Sequence, residues 1–269
     1  MYPELSDSEF GSFQDFIYQA AGIHMSSAKK TLVAGRLSKR LKAREVQSFS
    51  AYYELLQRGD DAGEVQTAVD LLTTNETYFF RELKHFELLR RLATEAAAGR
   101  RPLKVWSAAS SSGEEAYSMA MVLADAMPAL PWHVIGTDIS DRMLQRARAG
   151  HYAMNRARQV PSDYLRRYCL KGVGEQVGTL LVERTLRQRV QFLKVNLNEA
   201  LPALGPFDVI FLRNVLIYFN GETKRQVVMR VASLLRPGGT LCIGHSESVS
   251  DFDTGLRQVA PSIYRRPAH

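Results

Sequence analysis

The segment from Leu103 to Asp138 constrains the fold of this chain more than any other stretch. It combines a short apolar run, a turn of small residues, an amphipathic pattern and a second apolar run that ends at an acid. The amphipathic part has apolar residues at the i, i+3, i+4, i+7 spacing of a helix with one buried face: Ala116, Met119, Ala120, Leu123 and Met127. The pattern predicts the opening βαβ unit of a doubly wound α/β sheet, in which Asp138 can bind two ribose hydroxyls.

The turn at residues 107–113 narrows the class of ligand. A dinucleotide requires G-x-G-x-x-G so that backbone amides can approach a pyrophosphate, and only Gly113 of that pattern is present here. A nucleoside without phosphate, such as S-adenosylmethionine, needs only a backbone that passes closely beneath it. Glu114 and Glu115 follow at the start of the helix, where they disfavour a phosphate and either cap the helix or meet a cationic ligand.

Length and composition limit the class of protein. A chain of 269 residues with 45% hydrophobic content suits one large or two modest domains with a substantial core. Two cysteines are too few for a disulfide framework, no apolar run is long enough to span a bilayer, and residues 1–25 lack the layout of a signal peptide. We therefore expect a soluble cytoplasmic protein. The net charge of +7 suggests an acidic partner, which nucleic acid, membrane or protein could each provide.

Residues 1–72 predict a small all-helical domain. Ser6 and Glu9 have the spacing of a capping box, and further helical patterns continue to Leu72. One helix, within residues 29–44, contains seven basic residues and no acid. Repulsion between like charges at i, i+4 costs a helix roughly a few tenths of a kcal/mol per pair, so a docked partner is one explanation of this basic face and a solvated surface is the other. The candidate receptor-docking residues are Arg36, Lys39, Arg40 and Arg44.

Residues 73–84 form a connection that is unusually rich in polar and aromatic side chains. A segment that only joined two helices would not need so many specific donors. We predict that Asn75, Thr77 and Arg81 face a ligand cleft at the domain junction, the usual place for a binding site. The alternative is that the aromatic residues fasten one domain to the other and Arg81 is solvated.

Residues 85–269 complete the predicted sheet. Further strands are expected at Val190–Val195, Phe207–Leu212 and Thr240–Gly244, the last one after a Pro-Gly-Gly turn. Residues 161–189 are too long for a simple crossover and contain three glycines among β-prone runs. They predict a small antiparallel β insertion, although an ordinary loop hairpin would show the same pattern.

The motifs together resemble one family. Those that carry the resemblance are Thr73-Thr74-Asn75 with Phe79-Phe80-Arg81-Glu82, the run Trp106 to Ser118, Thr137-Asp138-Ile139-Ser140, and Phe207 to Phe219. They strongly resemble the bacterial chemotaxis receptor methyltransferases of the CheR type, from the N-terminal helices nearly to the C-terminus. The departures are small: Ala116 stands where proline is common, and Leu212 where cysteine often precedes Arg-Asn.

The resemblance implies a class I methyltransferase domain, preceded by an all-α domain, that uses S-adenosylmethionine and releases S-adenosylhomocysteine. Such enzymes esterify glutamate side chains on the helical cytoplasmic domain of chemoreceptors. In some members the β insertion also binds the C-terminal peptide of the receptor by strand addition. Nucleic-acid binding and membrane insertion are not expected.

The resemblance also assigns roles at matching positions. Arg81 is expected to orient the incoming carboxylate with help from Tyr218, and no general base or metal ion is expected because a glutamate is already ionised. Tyr218 could instead be core packing, and Asn214 a strand-end cap. The positions expected to bind the cofactor are Asn75, Thr77, Arg81, Glu115 (methionine portion), Asp138 (ribose), Asn196 and Leu197 (adenine), and Asn214 and Val215 (methionine and methyl region).

Two other functions remain open at this stage. A nucleic-acid methyltransferase would suit the basic face, but Asn214-Val215-Leu216-Ile217 replaces the Asn/Asp-Pro-Pro-aromatic motif common in base-amine methylation. A non-catalytic adaptor that binds receptor and cofactor would use the same cleft as an enzyme, and the sequence separates it poorly from one.

Overall fold

The computed structural model describes residues 3–268, which divide into two compact units. The first unit comprises the chain up to Thr74 together with Ile217–Lys224, and the second comprises Asn75–Leu216 and the chain from Arg225 onward. None of the helices formed by the described residues is both long and apolar enough to cross a membrane.

The first unit is helical, as the sequence predicts. Its first helix begins with the predicted capping box, in which the Ser6 hydroxyl accepts the Glu9 N–H and the Glu9 carboxylate accepts the Ser6 N–H, and it ends at Gly22, whose φ of 71° is left-handed. Phe13 and Tyr52 are fully buried in its core. Its helices are α1 (Asp7–Ala21), α2 (Lys30–Ala43), α3 (Phe49–Arg58) and α4 (Ala62–Leu72).

The second unit alternates strands and helices, which is the pattern of a doubly wound fold. Its helices are α5 (Leu83–Ala98), α6 (Glu114–Ala126), α7 (Asp141–Ala149), α8 (Ser162–Tyr168), the single turn α9 (Arg184–Arg187) and α10 (Gly221–Ser233), whose first residues are counted in the first unit. Its strands are β1 (Leu103–Ala108), β2 (Trp132–Asp138), β3 (His151–Ala153), β4 (Cys169–Lys171), β5 (Thr179–Val182), β6 (Val190–Lys194), β7 (Phe207–Leu212), β8 (Leu235–Ile243), β9 (Arg257–Ala260) and β10 (Ile263–Arg265).

The main sheet has seven strands in the order β6-β2-β1-β7-β8-β10-β9. The first five are parallel, and β10 pairs antiparallel with both β8 and β9. All six residues of β7 are buried, as expected for a parallel strand covered on both faces. The strand order reverses between β1 and β7, so the fold places a ligand at the carboxyl ends of these strands. The α/β fold predicted from the sequence is confirmed.

The last parallel strand begins earlier than the sequence suggests. The Pro237-Gly238-Gly239 segment does not end before a strand at Thr240 but lies inside β8. The register shifts there, since Phe207 pairs with Leu235 while Val209 pairs with Thr240. Gly238 adopts a φ of 76°, which lets the extra residues bulge without breaking the pairing.

The β insertion is a separate three-stranded antiparallel sheet in the order β3-β5-β4. The predicted limits of 161–189 are too narrow, because the first strand begins at His151 and pairs with Leu181. A three-residue strand is too short to give a periodic signal, and only its pairing with β5 identifies it.

Candidate active site

The turn after β1 is shaped by three residues with left-handed backbone: Ala109, Ser111 and Gly113, with φ of 64°, 49° and 93°. At Gly113 a side chain would also lack space, because an added Cβ would lie 2.8 Å from Ala147 Cβ. At Gly136, on the neighbouring strand β2, an added Cβ would lie 2.6 Å from the Phe192 ring. The two glycines therefore let the turn and β2 pack against Ala147 and the Phe192 ring without a clash.

Asp138 ends β2 and is held by this turn. One carboxylate oxygen accepts the Ser111 N–H at 2.8 Å and the other accepts the Ser140 N–H at 2.9 Å. The residue is only 7% exposed. These two bonds fix the orientation of the carboxylate at the position where this class of fold receives ribose hydroxyls.

The two adjacent glutamates at the start of α6 have different partners and different roles. Glu114 is fully buried, where it pairs with Arg156 and accepts the Ser112 hydroxyl at 2.7 Å. Glu115 accepts the Ser107 hydroxyl at 2.7 Å and lies 3.1 Å from the Arg213 guanidinium. Burial raises the pKa of Glu115 although Arg213 opposes that shift. Glu114 therefore supports the fold, and Glu115 is the acid with charge left to attract a cationic ligand.

Arg213 connects the acids of the site. Its side chain is fully buried after β7 and lies 3.2 Å from Glu82 and 3.1 Å from Glu115. The guanidinium also packs over the rings of Phe86 and Phe211, with centroid distances of 5.6 Å and 5.3 Å. Burial raises the pKa of Glu82, but the Arg213 charge and hydrogen bonds outweigh it, so the net pKa is lowered.

Asn214 has a left-handed φ of 57°. Its backbone N–H donates to Glu247 at 2.9 Å, and the same carboxylate accepts the N–H groups of Leu216 at 2.7 Å and Gly244 at 2.6 Å. The Asn214 amide donates to Glu82 at 3.2 Å. The Glu247 carboxylate therefore caps the end of β7, and Asn214 lies at the edge of the site between Glu247 and Glu82. The role of Asn214 in cofactor binding stays a prediction. Val215, the next residue, is half-buried.

The segment at residues 75–81 is tied to the turn after β1. The Asn75 carbonyl accepts the Ser111 hydroxyl at 3.4 Å, and the Thr77 carbonyl accepts from Arg156 at 2.7 Å. Arg81 is half-buried, and its guanidinium donates to the Glu76 carbonyl at 3.0 Å. Its backbone carbonyl accepts from Arg213, which pairs with Glu115. The structure thus brings this segment together with Asp138 and Glu115.

Asn196 and Leu197 follow β6. The Val195 N–H donates to the Asp138 carbonyl at 3.0 Å, which places this turn beside the end of β2. The Asn196 side chain accepts the Asn198 N–H at 3.0 Å and donates to Glu199 at 2.8 Å. Because both ends of this amide shape the turn, we expect any contact with an adenine to come from the backbone and from the buried Leu197 side chain.

The residues of this site fit S-adenosylmethionine. Asp138 has the position and fixed orientation that ribose hydroxyls require, and Glu115 presents a carboxylate whose charge a cationic amino-acid group would compensate. Ser110 adds a buried hydroxyl that has no hydrogen-bond partner among residues 3–268, the kind of group that a bound ligand satisfies.

The sequence analysis missed three residues of this network: Glu82, Arg213 and Glu247. Arg213 was detectable, because a charged residue directly after the apolar run Val209–Leu212 lies at the carboxyl edge of the sheet. Glu82 and Glu247 carry no comparable signal, since their partners are distant in sequence.

Tyr218 belongs to the first unit. Its backbone carbonyl accepts the His24 N–H at 2.7 Å, and the Lys29 ammonium lies 5.2 Å from its ring centroid. Its assignment to catalysis stays a prediction.

The basic face of α2 is not the row of uncompensated charges that the sequence suggested. Arg36 donates to the carbonyls of Leu71 and Thr73 at 2.8 Å and 3.0 Å. Arg40 forms a two-point ion pair with the buried Glu64, and Arg44 lies 2.9 Å from Asp61. The three arginines therefore hold α2 against α4 and the residues at the ends of α4. Because these charges are compensated, like-charge repulsion along α2 no longer argues for a docked partner. Lys39, by contrast, is exposed.

Two family models match the chain. The all-alpha domain of CheR methyltransferase matches residues 8–73, and the S-adenosylmethionine-binding domain of CheR methyltransferase matches residues 75–264.

Curated relatives align over nearly the whole chain. The chain is 39% identical to chemotaxis protein methyltransferase 2 of Pseudomonas aeruginosa over 95% of its own length and 92% of the relative's. It is 38% identical to the chemotaxis protein methyltransferase of Escherichia coli, over 97% and 91% of the two chains. The corresponding protein of Salmonella typhimurium is 40% identical over 92% and 86%.

Removing Arg40 should destabilise the first unit, because Glu64 would remain buried without its main counter-charge. We expect Arg40→Ala to lower the free energy of unfolding by about 3 kcal/mol. Lys39→Ala, one residue away and exposed, should change it by less than about 0.5 kcal/mol. Hydrogen exchange of the α2 and α4 amides measures the change in the free energy of unfolding in both variants.

The same pair predicts a pH dependence. Burial raises the pKa of Glu64, but hydrogen bonds from Arg40 and Tyr52 outweigh it and the net pKa is lowered. The stabilisation is therefore present above the ordinary pKa of glutamate and is lost as the pH falls through the lowered value. If the α2 and α4 amides of Arg40→Ala and Lys39→Ala were equally protected from hydrogen exchange, at neutral and at acidic pH, the Arg40–Glu64 ion pair would not be what holds α2.

Proposed function

Because this chain belongs to the CheR methyltransferase family, we propose that it transfers the methyl group of S-adenosylmethionine to glutamate carboxylates on chemoreceptor cytoplasmic domains. The product is a glutamyl methyl ester, and the reaction takes place in the cytoplasm, where these receptor domains lie. The observation that carries the proposal is the pair Asp138 and Glu115, two oriented acids at the carboxyl ends of β2 and β1 in a fold without a pyrophosphate-binding turn. Such a site suits a nucleoside that carries a cationic tail.

The chemistry requires little from the protein beyond positioning. S-adenosylmethionine supplies an electrophilic methyl group, and a glutamate carboxylate is an ionised nucleophile at neutral pH. No general base is needed to activate it. The side chains of this chain therefore align the carboxylate and exclude water from it, which is where the rate enhancement arises.

We propose the cofactor-binding roles that the family assigns at matching positions, and the contacts within the site support them. Asp138 binds the ribose, Glu115 the ammonium of the methionine portion, and the turn at Asn196-Leu197 the adenine. Asn214 and Val215 line the methionine and methyl region. Asn75 and Thr77 support the segment that lies beside the turn after β1.

Arg81 orients the incoming carboxylate. Its guanidinium is held on its own loop by the Glu76 carbonyl and lies 5.7 Å from the Tyr78 ring centroid, so its direction is partly fixed. A planar guanidinium can bind one edge of a carboxylate and leave a lone pair free for attack. The Arg81 backbone carbonyl accepts from Arg213, the guanidinium that pairs with Glu115, so the loop of Arg81 is joined to the acids of the site.

One assay separates this function from the alternatives. The protein is incubated with S-adenosylmethionine labelled in the methyl group and with a receptor cytoplasmic fragment, transfer RNA or duplex DNA. We expect base-labile label on the receptor fragment only. Label on nucleic acid would replace the proposal with a nucleic-acid methyltransferase. Calorimetric binding of S-adenosylhomocysteine without label on any acceptor would replace it with a non-catalytic adaptor.

Arg81→Ala should lower the rate of methyl transfer at least about 10-fold, because a hydrogen bond to a charged group is worth roughly 1.5 to 3 kcal/mol. The affinity for S-adenosylhomocysteine, measured by calorimetry, should change less. Arg91→Ala removes an exposed arginine of α5 and serves as the matched control. Unchanged turnover in Arg81→Ala would exclude the orienting role.

We also propose that α2 docks the receptor, now through its exposed lysines. Arg36, Arg40 and Arg44 are committed to contacts inside the first unit, and reversing their charge would test stability rather than docking. Lys39 and Lys42 are exposed and lie three residues apart on one face of the helix. They provide cationic surface for an acidic helical partner.

Lys39→Glu and Lys42→Glu should each raise the apparent KM for the receptor fragment by roughly 2- to 5-fold, with less effect on kcat. The effect should shrink as salt is added, because exposed charges are screened. Arg58→Glu, at the exposed end of α3, changes the net charge equally and controls for long-range attraction. A rise in KM that salt leaves unaltered, or that Arg58→Glu reproduces, would contradict docking on α2.

The β insertion offers a second contact for the receptor. Strand β4 is an edge strand, and apolar side chains on it and next to it are exposed: Leu170 by 50%, Val173 by 77% and Val177 by 73%. We propose that an extended receptor C-terminal peptide adds to this edge. Leu170→Asp should weaken binding of such a peptide, while Val259→Asp, on the edge strand β9, should not. Equal affinities would exclude this edge.

A further inference from the structure

Three potential metal ligands meet beside Arg213. His85 Nδ1 lies 3.5 Å from Glu82 Oε2, and His245 Nε2 lies 3.8 Å from the same oxygen. All three ligand atoms lie within 4.8 Å of one another. His85 stands in the first turn of α5, and His245 follows β8, so residues 160 positions apart converge on one carboxylate.

The hydrogen bonds of His85 identify which ring nitrogen carries the proton. His85 Nε2 lies 2.9 Å from the Ser262 hydroxyl, and that hydroxyl donates to the Pro261 carbonyl at 2.7 Å. Because a hydroxyl has a single proton, it accepts from Nε2, which must then be the protonated nitrogen. Nδ1 is left with its lone pair.

That lone pair is buried and unsatisfied. His85 is 1% exposed, and Nδ1 has no hydrogen-bond partner within the described residues. The group nearest to it among the potential ligands is the Glu82 carboxylate, which is also an acceptor. Two acceptors that face each other in a buried site repel unless a cation lies between them.

The Glu82 carboxylate can accept a second cation beside Arg213. Arg213 lies 3.2 Å from Glu82 and 3.1 Å from Glu115, and the charge that remains on Glu115 is assigned to the cofactor, so the ligands of the ion are the two imidazoles and the remaining lone pairs of Glu82. Arg213 contacts the same Glu82 oxygen that would bind the cation, while the other oxygen accepts from the Asn214 amide and the His245 N–H. The site is also accessible, because the His245 side chain is 49% exposed.

We propose that Glu82, His85 and His245 bind a divalent transition-metal ion, with Zn²⁺ the best match, through Oε2, Nδ1 and Nε2. Ligands about 2.1 Å from a tetrahedral Zn²⁺ lie roughly 3.4 Å apart. The two separations from Glu82 Oε2, 3.5 Å and 3.8 Å, are close to this value. The two histidine nitrogens lie within 4.8 Å of each other, and rotation of the half-exposed His245 side chain would bring them to it. Two imidazoles and a carboxylate with one position for water form a common zinc set. The N–H that His85 donates to Ser262 is the outer hydrogen bond that usually orients a metal-bound imidazole.

The ion would join the start of α5 to the segment that follows β8. Glu82 also binds Asn214 and Arg213, so the ion would hold this carboxylate in the place that supports the end of β7. It takes no part in methyl transfer. Its effect is to stabilise the second unit and the edge of the cofactor site.

Titration of the full-length, untagged, chelator-treated protein with Zn²⁺ and Co²⁺ tests the inference. We expect one equivalent to bind, with visible Co²⁺ absorption typical of a tetrahedral site with nitrogen and oxygen ligands. At a hundredfold excess of free Zn²⁺ over Kd, the melting temperature should rise by about 5 °C.

His245→Gln is the decisive variant, because its side chain is half-exposed and the fold should tolerate it. It should weaken Zn²⁺ binding more than about 10-fold and abolish the Co²⁺ absorption. His133→Gln, at an exposed position on β2, is the matched control and should bind as the unaltered protein does. Absence of stoichiometric binding, or equal affinity in the two variants, would overturn the proposal.

Discussion

The buried guanidinium of Arg213 is the contact on which the site depends. It donates to Glu82 just before α5 and forms an ion pair with Glu115 in the first turn of α6, and it follows β7 directly. Burying a charge costs several kcal/mol unless it is well paired, and here two carboxylates and two aromatic rings compensate it. One side chain thus fixes three elements around the carboxyl ends of the central strands.

The acidic side chains of this site differ in how far neighbouring groups compensate their negative charge. Glu114 is fully paired with Arg156, Asp138 is oriented by backbone amides, and Glu115 shares its guanidinium with Glu82. The remaining negative charge suits a cofactor with a cationic tail.

The net positive charge of the chain suggests an acidic partner, but the arginines of α2 make contacts inside the first unit. In α2 the arginines bind carbonyls and acids of the first unit, and Glu64 is buried because Arg40 compensates it. Basic residues used in this way stabilise helix packing. The exposed basic residues of α2 without such contacts among the described residues are Lys39 and Lys42, which is why we propose docking through them.

The sequence by itself determined the alternation of strands and helices in the main sheet, the α/β fold and the position of Asp138, because these follow from local periodicity and from the fixed edge at which parallel strands end. It also located the turn at Gly113. Only the tertiary structure decided the limits of the β insertion, that Glu114 and Glu115 differ, that Arg40 pairs with Glu64, that Glu247 caps the end of β7, and that Glu82, His85 and His245 converge. These outcomes depend on contacts between residues that are far apart in sequence, or on which face of a helix is buried, and neither leaves a periodic pattern that could be read beforehand.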